Sequence, residues 1–198
     1  LVTLIGTATY VFIACLAAFP LAKHKFPGKL VISQLVVWAI LFRPEVTAIP
    51  QFFIISKLGM IDTYAALIFP TLAGTFGLFL VRQFMQGIPD VILEAARIDG
   101  LDEFRMFFKI VMPNVKPAWI TLIIFTFQGL WGSTGGSYIY SENIKLLPVA
   151  LQQLSTAGIS RAGVSSAVAL LLMIVPVVIF LFCQKSVMQT MAHSGIKA

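Results

Sequence analysis

Glu94, Ala95, Ala96, Asp99 and Gly100 stand together in a charged, helix-forming island, Glu94-Ala95-Ala96-Arg97-Ile98-Asp99-Gly100, set between long apolar segments. Pro113 follows thirteen residues after Gly100, in Ile110-Val111-Met112-Pro113. The chemistry open to this set is recognition rather than bond making. Glu94 can pair with a cation on another surface, the small side chains of Ala95 and Ala96 let that surface come close, and Gly100 can take the backbone angles of a tight corner. Pro89 suits a first helical position, Asp90 favours the positive end of a helix dipole, and Gly100 is a natural stop. Asp102 and Glu103 then open a second helix, with Phe104, Phe108 and Val111 at helical spacing and Pro113 halting it. The pattern predicts helix, glycine corner, helix, lying at a membrane surface. An interfacial amphipathic helix that dips Phe104, Phe107 and Phe108 into lipid fits the same pattern.

Bond-making chemistry finds no support. The sequence holds no Gly-x-x-x-x-Gly-Lys-Ser/Thr phosphate loop, so ATP hydrolysis has no site in it. His24 and His193, its only histidines, have no partner at zinc-ligand spacing. No Gly-x-Ser-x-Gly elbow is present and no histidine falls at membrane depth, which excludes a serine hydrolase triad. Cys15 and Cys183 fall in separate apolar segments, where thiols pack as small apolar groups.

The elements that must position the island are membrane spans. A chain with 59% hydrophobic and 11% charged residues and a mean hydropathy of +0.94 cannot hide its apolar groups in a water-soluble globule of this size. Crossing a hydrocarbon core of about 30 Å takes roughly 20 helical residues. Five stretches are expected to do so: Leu1 to Leu21, Leu30 to Ile49, Tyr64 to Phe84, Ala118 to Trp131 and Val164 to Cys183. They are too long for strands and lack the alternation of a transmembrane barrel, so an all-α polytopic bundle is expected. Leu1 already lies in an apolar run, which reads as a fragment lacking its beginning. Pro70 predicts a kink in the third span, while Ala73, Gly74 and Gly77 would let another helix approach.

Alternating spans put Lys23, Lys25, Lys29, Arg82, Arg97, Arg105, Lys109, Lys116, Lys185 and Lys197 on one side, against Arg43, Lys57, Lys145 and Arg161 on the other. Ten against four makes the first side cytoplasmic, with the island (86–116) and the tail (184–198) on it and the polar loop 132–163 outside. The net charge of +6 is spread over span ends rather than gathered in an aromatic-interleaved patch, so membrane topology, not nucleic acid, accounts for it. Near the outer end of the second span, Pro44 lies between Arg43 and Glu45 and breaks the helix. Thr71, Thr75, Thr126, Gln128 and Trp131 are candidates for a solute pathway, since Trp can stack on a sugar and Gln can bond hydroxyls. Backbone-bonded Thr and an interfacial Trp belt account for the same residues.

The order Glu-Ala-Ala, three residues, Gly, nine residues, Ile-x-x-Pro resembles the EAA loop of binding-protein-dependent ABC importer permeases. Ala18-Phe19-Pro20-Leu21-Ala22-Lys23-His24-Lys25-Phe26-Pro27-Gly28-Lys29 resembles the cytoplasmic turn of the sugar branch of that family, and Ser194-Gly195-Ile196-Lys197 is similar to its terminal Gly-x-Lys. The chain departs from the branch at Met112, where Leu is usual, and at Phe19-Pro20, which is expected to bend the end of the first span. Essentially the whole chain is covered, as a single permease domain whose spans match the last five of six. The resemblance implies a type I importer subunit in a bacterial or archaeal cell membrane, with its carboxyl end cytoplasmic. Its implied partners are a second permease, a cytoplasmic ATPase pair that binds ATP and Mg, and an extracellular solute-binding protein. This chain would bind no cofactor of its own. Glu94, Ala95, Ala96, Asp99, Gly100 and Pro113 would then couple to the ATPase, Gly195 and Lys197 could touch it as well, and the solute would be a sugar or oligosaccharide; the alternatives are a permease of the same kind for a non-sugar solute, and an ATPase-independent channel or secondary transporter.

Overall fold

The structure is a computed structural model that describes residues 1–42, 44–136, 138–155 and 162–194. Arg43, Arg161, Gly195 and Lys197 lie outside the described residues. The chain is all-α, without a strand among the described residues. In lipid each backbone N–H and C=O must be satisfied within its own segment, which is why such apolar runs become helices. Three helices are long and apolar enough to cross a membrane, and up to five segments do so if each of two bent pairs counts as one span.

Helix α1 (Val2–Lys23) runs through Pro20 without ending there. The second expected span is divided. Helix α2 (Lys29–Leu41) has 13 residues and α3 (Pro44–Lys57) has 14, and the axis turns by 108° between 29–41 and 45–57. Thirteen residues rise only about 20 Å, short of the hydrocarbon core. Pro44 has no amide hydrogen to continue α2, and it serves instead as the first residue of α3. The hydropathy of Leu30 to Ile49 is continuous across this bend, so composition alone did not show it.

The third span is α4 (Ala65–Leu72) and α5 (Thr75–Gln86). The break falls at Ala73 and Gly74, just beyond Pro70, where Ala73 N–H bonds the Pro70 carbonyl at 3.3 Å and Gly74 N–H bonds that of Thr71 at 3.1 Å. Gly74 itself is extended, at φ −61° and ψ 112°. Next come α6 (Asp90–Ile98), α7 (Glu103–Met106), a π-turn over Phe107–Val111 and α8 (Met112–Asn114). Pro113 lies inside this helical stretch and does not halt it. Its ring would collide with the Lys109 carbonyl in a regular helix, and the widened π-turn sits just where that collision is relieved. The axis then swings by 77° into α9 (Lys116–Trp131).

A 3-10 turn at Glu142–Ile144 and α10 (Leu147–Ser155) interrupt the polar loop, and α11 (Ala162–Ser194) closes the chain. Helix α11 has 33 residues, more than a bilayer needs, so the start of the expected tail is helical as far as Ser194. Helix α1 is the centre of the bundle and packs on α4, α5 and α9, while α9 also packs on α11. Cys15, Val81, Met85, Met106, Phe107, Val111, Val115 and Leu122 are the large side chains wholly shut inside. They gather around the meeting of α1, α5, the π-turn and α9. Leu4, Phe12, Trp38, Phe69 and Phe182 stay exposed on the outside, as a lipid-facing surface requires.

Candidate functional site

Two features frame the bundle: an elbow formed by α6 and α7 at its basic end, and a cavity at the opposite end. The elbow's corner is set by Gly100 at φ +79°. Leu101 N–H bonds the Ala96 carbonyl at 3.0 Å and Gly100 N–H bonds that of Arg97 at 3.0 Å, the paired bonds of a Schellman cap. No atom lies within 4 Å of where a Gly100 Cβ would stand, so the need for glycine here is conformational rather than one of space. Asp102 caps the second arm, its carboxylate accepting from Arg105 N–H at 2.8 Å. Pro89 is the residue before the first arm, one position earlier than its sequence reading as a first helical residue.

The elbow turns one face inward and one outward. Leu93 and Ala96 are buried in the bundle core, so Ala96 is closed to any partner. Ala95 and Glu94 are exposed, and Val91 and Ile98 are 73% and 87% exposed. Val91, Ala95 and Ile98 follow i, i+4, i+7 spacing and form one apolar stripe, with Glu94 beside it. Asp99 is exposed at the corner.

Residues from the α1–α2 connection hold the elbow. The Lys23 ammonium donates to the carbonyls of Gln86 and Ile88 and pairs with Asp90 Oδ1 at 2.7 Å. His24 Nε2 lies 3.2 Å from Glu103 Oε2, and the other oxygen of that carboxylate accepts from Arg97 Nε at 2.9 Å. Bonded by Lys23, the Asp90 carboxyl is held below its ordinary range, with the Lys23 charge and then those of Lys25 and Lys29 adding to the effect. A carboxyl lowered in the folded state stabilises it above the ordinary carboxylate range, and that contribution is lost as pH falls through the lowered value. The pair is therefore intact at neutral pH. A polar cleft of about 330 Å³ lies between Lys23, His24 and Lys25 on one side and Asp90, Glu94 and Arg97 on the other.

At the opposite end a cavity of about 570 Å³ opens between α1, α4, α5 and α9. Tyr10 forms part of its floor. The Tyr10 hydroxyl donates to the Gly74 carbonyl at 2.8 Å and accepts from Gly77 N–H at 2.9 Å, which satisfies backbone groups freed by the α4–α5 break. Gly74 and Gly77 leave room for the ring, since a Cβ on either would stand 2.5 or 2.4 Å from the Tyr10 oxygen.

Of the five pathway candidates, Thr71 and Thr126 line this cavity and Thr75, Gln128 and Trp131 do not. Thr71 spends its hydroxyl on the Leu67 carbonyl at 2.9 Å. Trp131 stacks on Phe127 at 5.8 Å and donates its indole N–H to the Leu172 carbonyl at 3.0 Å, which fastens α9 to α11. Gln51, Ser133, Tyr138, Phe76 and Phe125 are lining residues that sequence reasoning missed. Asp62 was missed as well: at φ +62° its carboxylate receives Tyr140 and Ser141 N–H at 3.0 and 2.9 Å and pins the loop beside the cavity. Its one sequence signal is that Asp is among the few side chains at home in the left-handed region.

The family described as the inner membrane component of binding-protein-dependent transport systems matches residues 3–192. The chain belongs to that family. Among this permease family's curated members, the chain is 35% identical over 148 residues to a polygalacturonan/rhamnogalacturonan transport system permease protein, YtcP, of Bacillus subtilis strain 168. That match covers 75% of this chain and 51% of YtcP. It is 29% identical over 196 residues to the arabinooligosaccharides transport system permease protein AraQ of the same organism, covering 98% of this chain and 70% of AraQ. The chain thus spans about half the length of YtcP. A solved bacterial ABC transporter involved in importing the acidic polysaccharide alginate shares the fold, with a TM-score of 0.74 at 21% identity over 93% of this chain and 72% of that one.

Proposed function

We propose that this chain is the core of a transmembrane permease subunit in an ATP-driven importer, translocating a sugar or oligosaccharide handed over by an extracellular solute-binding protein. The observation that carries the reading is the elbow: a capped helix whose outer stripe, Val91, Ala95 and Ile98, is bare while its inner face is locked into the bundle. Each large aliphatic side chain on that stripe gains about 1.5–3 kcal/mol when covered. A cytoplasmic ATPase, which binds ATP and Mg in its own chain, is the occupant, with Glu94 and Asp99 at the rim for cations on its surface. Closing on ATP, the ATPases draw the elbows of this subunit and a second permease together and turn the bundles as rigid bodies. Gly100 fixes the angle between the arms, and Pro113 leads into the bend before α9. Gly195 and Lys197 would add contacts from a cytoplasmic carboxyl end.

The solute path is the 570 Å³ cavity, where Gln51, Thr126, Ser133 and Tyr138 offer polar groups and Phe76 and Phe125 offer apolar surface. Such a mixture of hydroxyls, amide and rings suits a saccharide. The names of YtcP and AraQ, both saccharide permeases, support the same class. The test is reconstitution of the full-length protein with its partners in vesicles, followed by ATP-dependent uptake of labelled oligosaccharides. Replacing Val91 and Ile98 with Asp should release the ATPase from the purified complex while the permease remains inserted. An ATPase that stays bound to that variant would overturn the docking assignment. Uptake without any ATPase would favour a channel or secondary transporter instead.

A further inference from the structure

Lys23 and His24 are consecutive residues at the end of α1, and each holds a different arm of the elbow. The Lys23 side chain is only 5% exposed, while its partner Asp90, at the start of the first arm, is 75% exposed. Besides that pair, the same ammonium reaches the carbonyl of Gln86, the last residue of α5, and that of Ile88 in the α5–α6 connection. His24 reaches Glu103, the first residue of the second arm, and Glu103 is tied back to the first arm through Arg97. The connection carrying both residues is itself stiffened, since Lys29 Nζ donates to the Ala22 and His24 carbonyls at 3.1 and 3.0 Å. Apart from these links, the elbow is joined to the bundle through the chain at α5 and α9 and through the packing of Leu93, Ala96, Leu101 and Met106, and just beyond it Phe107 and Phe108 meet Phe19 and Phe12 of α1 at 5.6 and 6.5 Å. Helix α1, which supplies Tyr10 to the cavity, has no peptide link to the elbow at all.

We propose that Lys23 is a positioning residue that, with His24, forms a strut through which motion of the elbow is delivered directly to α1, so that the cavity wall moves in step with α5 and α9. This rests on the importer reading of the elbow. The Lys23 side chain is almost wholly covered and its ammonium is shared among three acceptors on the α5–α6 connection, so the strut is stiff in the sense that matters: Lys23 cannot leave Asp90 without its covered stem and its carbonyl bonds being disturbed as well. The Arg97–Glu103 pair, with both side chains more than two-fifths exposed, is too solvated to do the same alone.

Two readouts on the full-length complex test it. Spin labels at Lys25 and Ile92, an exposed loop position and a partly exposed α6 position outside the docking stripe, should give one narrow distance distribution in the parent protein. Asp90→Asn removes the ionic link and leaves the carbonyl bonds of Lys23 intact, and it should broaden that distribution. Lys23→Gln should broaden it further, and Lys23→Arg should restore it. In reconstituted vesicles, solute moved per ATP should fall roughly fivefold or more in D90N and K23Q, the lower end of ordinary coupling between sites, and recover in K23R. An unchanged distance distribution in both variants overturns the strut. So does a broadened distribution with an unchanged solute-to-ATP ratio, because Lys23 would then hold the elbow without transmitting anything. If the parent complex moves no solute on ATP, the importer reading fails, and the label distances still decide whether the clamp exists.

Discussion

At the basic end of the bundle α6 and α7 are fixed by charged side chains and caps, whereas at the cavity end α1, α4 and α5 are fixed by one phenol, two glycines and a broken turn. The difference follows the solvent. Where water competes for each polar group, geometry is held by groups that bond strongly in a defined direction: the Asp102 cap, the Gly100 corner and the Lys23–Asp90 pair. In lipid an unsatisfied backbone group has no water to turn to, so the α4–α5 break needs a dedicated partner, and Tyr10 supplies both a donor and an acceptor. At the elbow water can take over a lost bond, so such a loss loosens one arm at modest cost in stability, while the cavity wall is brittle.

That contrast breaks first at Gly77. A Cβ there would stand 2.4 Å from the Tyr10 oxygen and 2.6 Å from Leu122 Cδ1, and both neighbours belong to tightly packed helices. Gly77→Val should cost about 3 kcal/mol or more, counting overpacking together with the displaced hydroxyl. Thermal unfolding in detergent should show it as the largest single loss. A Gly77→Val protein as stable as its parent would mean that α1 and α5 are not in contact as described. Tyr10→Phe is the gentler cut. It keeps the ring and strands the Gly74 carbonyl and the Gly77 N–H, for about 1–3 kcal/mol. Amide exchange at Gly77 should quicken in that variant, while exchange in the elbow stays as it was.

Legibility divided along the same line. The helix–corner–helix of the elbow could be read because its determinants are local: an acidic helix start, glycine at the corner, Asp102 ahead of the second arm. The spans could be read because their length and hydropathy exceed anything a soluble domain hides. Tyr10 could not, since tyrosine in an apolar run is ordinary and its partner at Gly74 is 64 residues away. Lys23 looked like one more basic residue at a span end, and its pairing with Asp90 across 67 residues left no trace in the spacing. The sequence places Ala96 on the docking face along with Ala95 because the apolar residues of α6 spread over a wide arc opposite Asp90, Glu94 and Arg97, and only the packing of Leu93 and Ala96 shows which part of that arc turns inward. Trp131 shows the same limit, because its role depends on where α11 lies.

At the elbow the expected effects are smaller. Gly100→Val forces a β-branched side chain into the left-handed region, for about 1–2 kcal/mol. Gly100→Asn should cost less, since Asn visits that region readily. Because no neighbour lies within 4 Å, neither variant adds a clash, and the ranking Val worse than Asn isolates backbone strain from crowding. ATPase retention on purification should follow that ranking if the angle between the arms is what the partner reads. Equal retention would assign the partner's grip to the Val91–Ala95–Ile98 stripe alone.

The smallest effect belongs to Asp102. Its carboxylate satisfies Arg105 N–H at the start of α7, and Asp102→Ala should cost about 1 kcal/mol, the usual value of such a cap. The second arm has four residues in regular α form before the π-turn, too few to stand without help, so the loss should appear there as fraying. Glu103 would then hold His24 less firmly, while the Lys23–Asp90 pair would be untouched, because Asp90 belongs to the first arm. Amide exchange measured residue by residue should therefore quicken at 103–106 and remain slow at 93–98. Loss of protection in both arms together would show that the elbow melts as one unit, and the separate anchoring of its arms by Lys23 and His24 would no longer explain its stability.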